Sequence, residues 1–61
     1  MKCDLCEAES KIYIDGVLAE NGHTWANMCP SCHIMFGVGL GTGIGQKWRE
    51  NKDGTKTKLE G

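Results

Sequence analysis

The chain has 61 residues, 39% of them hydrophobic and 25% charged, and a formal net charge of −1. That length supports one small domain, whose core alone supplies about 3–5 kcal/mol, so a metal, disulfides or oligomerisation must add to it. The near-neutral balance excludes the strongly basic footprint of a dedicated DNA-binding domain, and no apolar run is long enough to span a membrane.

All four cysteines fall in two Cys-x-x-Cys pairs, Cys3-Asp4-Leu5-Cys6 and Cys29-Pro30-Ser31-Cys32, separated by 22 residues. Pairs at this spacing supply four tetrahedral thiolate ligands to one Zn²⁺. A structural zinc contributes about 10–16 kcal/mol of apparent binding free energy, enough to decide whether a domain this small folds. Met1-Lys2-Cys3 leaves no room for an apolar leader, so a reducing cytoplasm is expected, where disulfides rarely persist. A thioredoxin-like redox pair needs a βαβ scaffold for which the chain is too short.

In chain order, the first pair predicts a metal-binding knuckle. Residues 11–14 (Lys-Ile-Tyr-Ile) have strand character, and Asp15-Gly16 is a hairpin-turn signal with Val17-Leu18-Ala19 as the return strand. Asn21-Gly22 marks a second turn, after which residues 23–28 lead into the second pair. There Pro30 suits the first position of a helix and Gly37 its stop, predicting about two turns over 29–36. Ile34 and Val38, or Phe36, are expected to cover the hairpin. Residues 37–45 place glycine at every second position, which predicts a glycine-faced strand, bearing Val38, Leu40, Thr42 and Ile44 on its other side, or a loop lying flat against another surface such as Trp25 or the helix. Residues 46–49 extend it. The division expected is a zinc-binding domain over 1–49 and a flexible polar tail over 50–61.

Charge is uneven. Residues 1–45 carry Lys2 and Lys11 against Asp4, Glu7, Glu9, Asp15 and Glu20, a net of −3; residues 46–61 have a net of +2.

The expected fold class is therefore a small α+β zinc-stabilised domain. Knuckle, hairpin and a second Cys-x-x-Cys on the first turn of a helix resembles the treble-clef class, with the zinc ribbon as the alternative. Trp25-Ala26-Asn27-Met28-Cys29 followed by Gly37-Val38-Gly39-Leu40-Gly41-Thr42-Gly43 is similar to small uncharacterised zinc-finger proteins of bacteriophages. That resemblance implies a setting beside host machinery and carries no activity with it. Trp25 before Cys29-Pro30-Ser31-Cys32 also resembles the second knuckle of rubredoxins, which implies iron and electron transfer. Rubredoxins, however, have glycine directly after each pair, where this chain has Glu7 and His33.

Four thiolates close a zinc site, so the metal is expected to be structural and not catalytic. His23 and His33 are read as non-ligands, with His33 facing solvent or a sulfur. No carboxylate pair or nucleophile–base set appears, so neither an enzyme nor a small-molecule substrate is expected. A non-catalytic recognition module remains. Its candidate partner surface is Gly39, Gly41 and Gly43, whose bare face admits another backbone, with Lys47, Trp48 and Arg49. The partner is a protein or, alternatively, a nucleic acid that stacks on Trp48 while Lys47 and Arg49 meet phosphates. Trp25 is expected in the core.

Overall fold

The computed structural model describes residues 1–61, with the side chains of all but Asn21 and His23. It is an α+β arrangement of β1 (Ile12–Leu18), β2 (Asn21–Met28), α1 (Pro30–Phe36), β3 (Gly45–Glu50) and β4 (Lys56–Glu60). The strands form one antiparallel sheet in the order β2-β1-β3-β4.

Register divides the side chains between two faces, because alternate residues of a strand point to opposite sides. Ile14 lies opposite Met28 and Gly16 opposite Ala26, so Ile14, Leu18, Ala26 and Met28 share one face. Met28 and Ala26 join Cys3, Cys29 and Cys32 in the core cluster, with Leu18 packed against it. The metal-side face is therefore the one that the knuckle and the helix cover. Tyr13 pairs with Trp48, and Val17 with Trp25, on the other face.

The hairpin turn is at Ala19 and Glu20, not at Asp15-Gly16 or Asn21-Gly22. Asp15 and Gly16 sit inside β1, and Asn21-Gly22 opens β2. Gly16 is used for close approach: a Cβ there would lie 2.9 Å from the Ile44 carbonyl oxygen. Leu18 pairs with Asn21 across the two-residue loop, and the register shifts between Val17 and Leu18. Neither Ala19 nor Glu20 takes positive φ, so this is not the primed turn that Asp-Gly signals.

The helix forms where Pro30 and Gly37 place it, with Cys29 as N-cap and Pro30 in its first turn. Its apolar residues do not cover the hairpin. Ile34 is 83% exposed, Met35 69% and Phe36 45%, and Val38 is also exposed. Cys32 is the residue that α1 buries. At the C-terminus the Ala19 N–H donates to the Phe36 carbonyl (2.8 Å), which ties the helix end to the hairpin turn.

Residues 38–44 are a loop and not a glycine-faced strand. Gly39, Gly41 and Gly43 have φ of 151°, 145° and 83°, values closed to most side chains. Gly41 and Gly45 exchange backbone hydrogen bonds of 2.8 and 3.0 Å, closing a tight turn that feeds β3. Beyond β3, residues 51–55 form a turn in which Asn51 N–H donates to the Thr55 carbonyl (2.8 Å). The stretch expected as a polar tail then carries β4, an edge strand exposed at all five positions and paired with β3.

Candidate metal centre

The chain builds the four-sulfur site from two local structures. Residues 3–6 turn tightly, so that the Leu5 and Cys6 N–H groups donate to the Cys3 sulfur at 3.4 and 3.5 Å. The carbonyl of Cys3 accepts from Glu7 N–H (3.0 Å), closing the turn with Glu7 at φ 66°. Glu7 thus adopts the left-handed conformation that glycine takes most readily. The second pair comes from the helix start: Cys29 ends the extended chain of β2, and Cys32 follows on the first turn. Two bonds lock the halves together, Asp4 N–H to the Asn27 carbonyl (2.8 Å) and Asn27 N–H to the Asp4 carboxylate (2.9 Å).

The ligand atoms of Cys3, Cys6, Cys29 and Cys32 all lie within 4.8 Å of one another. Cys6 and Cys29 have sulfurs 3.7 Å apart; a tetrahedron with metal–sulfur bonds of about 2.3 Å has edges of about 3.8 Å. Cys3, Cys29 and Cys32 are buried, and Cys6 is exposed. Proton sharing among the sulfurs fits the same picture. Burial alone raises the Cys3 thiol, but N–H donors from Cys6, Cys29 and Leu5 outweigh it and lower the pKa to about 6. Cys32 is pushed up to about 12 by burial and by the three neighbouring sulfurs, which oppose a further negative charge. A divalent cation removes that opposition, so the donor set fits one metal ion.

The other expected site residues fall in three places. Gly39, Gly41 and Gly43 lie in the loop between α1 and β3. Lys47 pairs with Ile14 and Arg49 with Ile12, on the metal-side face, whereas Trp48 pairs with Tyr13 on the opposite face. The three do not form one patch. The cation opposite Trp48 is Lys58 of β4. Trp25, expected in the core, is 46% exposed on Trp48's face, because Ala26 and Met28 take the core positions of β2. His33 neither faces open solvent nor bonds a sulfur; its Nε2 pairs with the Gly39 carbonyl at 3.0 Å, linking the helix to the glycine loop. The side chain of His23 lies outside the described residues.

Sequence reasoning missed a groove beside the metal centre, about 530 Å³ in volume, lined by Leu5, Leu18, Ala19, Glu20, Met35 and Phe36. The knuckle, the hairpin turn and the helix end each supply a wall. The available signal was the run Ile34-Met35-Phe36, too apolar for a seven-residue helix that already buries Cys32. Among the described residues, no helix is long and apolar enough to cross a membrane. Comparison with protein-family models, with curated proteins and with solved structures found no match.

Proposed function

We propose that this chain is a non-catalytic, zinc-held recognition module of treble-clef type, working in the cytoplasm, which binds a protein partner through the groove beside its metal centre. The observation that carries the reading is the set of exposed apolar side chains at that groove. Leu5, Met35 and Phe36 line it, and Ile34 and Val38 stand exposed nearby. A domain with so little core that leaves such side chains in water has a use for them as an interface, since contiguous exposed apolar surface marks docking sites.

The order knuckle, hairpin, helix supports the treble-clef assignment, with the second cysteine pair at the helix start. The same placement favours zinc over a rubredoxin-like iron, whose two pairs both sit on knuckles. Four thiolates leave zinc no open position, which supports a structural metal and a protein that is not an enzyme. The phage-like resemblance makes a component of host machinery a natural partner.

Nucleic acid is the second reading, favoured by Trp25, Trp48 and Lys58 sharing one sheet face. The test is a ¹⁵N-HSQC titration of the zinc-loaded protein with single- and double-stranded DNA and RNA at low and moderate salt. The spectrum is expected to stay unchanged. A photo-crosslinker replacing Met35 is expected to capture protein in cells, and to lose the product on Phe36→Ser. Salt-sensitive shifts at Trp25, Trp48 and Lys58 overturn the reading in favour of nucleic acid.

A further inference from the structure

Resting on the docking reading, we infer that the groove takes a cationic amphipathic helix, with apolar side chains seated between Leu5, Leu18, Met35 and Phe36 and a Lys or Arg beside Glu20.

Charge selects the sign. Among the described residues, Glu20 is the ionisable side chain in the groove wall. Of the other carboxylates between Cys3 and Leu40, Glu7 pairs with Lys2 and Glu9 with the N-terminus, and Asp15 lies on the opposite sheet face, so the local charge comes from Glu20 and the four-sulfur centre. Leu5 stands between Cys3 and Cys6, and a zinc ion in four thiolates carries a net charge of about −2. With Glu20 in its wall and a four-thiolate zinc centre beside Leu5, the groove would therefore sit in a negative field. That field opposes nucleic acid and anionic lipid, and it also opposes a second copy, whose own groove would bring Glu20 and the thiolate centre against the same groups.

Backbone pairing selects the form. An extended strand would need free N–H and C=O groups to add to. Here the hairpin and helix-end walls are bonded to each other, the Ala19 N–H meeting the Phe36 carbonyl and Leu18 bridging Gly37, and the knuckle wall is bonded to β2 through Asp4 N–H and the Asn27 carbonyl. The contacts left are side-chain contacts, which a helix supplies from one stripe at three- and four-residue spacing. The groove volume, about 530 Å³, accommodates more than one large apolar side chain, the kind of anchor that dominates such interfaces.

The test uses the zinc-loaded protein and three synthetic peptides of equal length: a Leu/Lys amphipathic helix, a Leu/Glu helix of the same apolar spacing, and a Leu/Lys peptide of scrambled spacing. The first is expected to shift the amides of Leu5, Leu18, Ala19, Glu20, Met35 and Phe36. The other two are expected to bind at least tenfold more weakly. Glu20→Lys should remove the preference for the Leu/Lys helix, and Met35→Ser and Phe36→Ser, both at exposed positions, should each abolish the shifts with the fold intact. Equal binding of the Leu/Glu helix at the groove overturns the charge argument and leaves protein docking standing. Equal binding of the scrambled peptide overturns the helix argument. Absence of groove shifts from all three overturns the inference as a whole, whereas the docking reading falls separately, on the oligonucleotide titration.

Discussion

Met28→Ala tests how tightly the metal and the fold are coupled. Met28 is fully buried and packs with Cys3, Ala26, Cys29 and Cys32. Truncating a buried methionine costs about 2–5 kcal/mol through lost contacts and the cavity left behind. The core of such a chain supplies at most about 3–5 kcal/mol, too little to fold it without the ion, so parent and variant alike should be unfolded when metal-free. Zinc contributes about 10–16 kcal/mol, so the loaded variant should still fold. Because metal binding then includes folding, the loss appears as weaker zinc affinity. A cost of about 3 kcal/mol corresponds to roughly a hundredfold in the dissociation constant. Competition against a chromogenic chelator at fixed pH measures it. An affinity within about threefold of the parent protein, alongside a lower thermal midpoint of the loaded form, refutes the reasoning. The four-sulfur site would then be preformed without the core.

Three further outcomes are expected. Glu7→Gly should leave the loaded protein more stable than Glu7→Val by about 1 kcal/mol or more, since φ is 66° there and only the valine suffers in that conformation. Both variants lose the Lys2–Glu7 ion pair of 3.1 Å, so equal thermal midpoints would contradict the geometry. Gly45→Ala would place a Cβ 2.5 Å from the Gly39 carbonyl oxygen and should cost about 1–3 kcal/mol as the glycine loop is pushed off the sheet; an unchanged midpoint would count against the loop's position. Apparent zinc affinity should weaken as pH falls. Cys32, near 12, must release a proton to solvent when its sulfur binds the ion at neutral pH, and below about 6 Cys3 must as well, so the dependence steepens on the acid side. An affinity that stays flat between about pH 8 and about pH 5 would mean that thiolates are not the ligands.

The cysteine spacing made the metal centre legible, and Pro30 and Gly37 made the helix legible, because both signals act within a few residues. Longer-range competition decided the rest. The Asp15-Gly16 turn signal lost to the docking of the helix end on Ala19 and to the close approach of β1 and the Ile44 carbonyl, which needs Gly16 inside a strand. The glycine alternation matched a strand in period. Positive φ at every second residue instead bends the chain into a loop closed between Gly41 and Gly45. Strand β4 carried no apolar alternation, being exposed throughout, and lysines suit an unprotected sheet edge. Its one local cue was Asp53-Gly54, where Thr55 donates N–H and hydroxyl bonds to the Asp53 carboxylate at 3.0 and 2.6 Å. Trp25 was misplaced because aromatic character says nothing about which face of a strand is covered. The groove needs three elements at once, so no window of sequence contains it.

Metal analysis of the purified chain, followed by a ¹⁵N-HSQC spectrum before and after excess chelator, bears most directly on the claim that one ion holds this domain together. One zinc per chain is expected, with a dispersed spectrum that collapses on chelation and returns with one equivalent of Zn²⁺. A chain that carries no metal, or that keeps its dispersed spectrum in chelator, would contradict it.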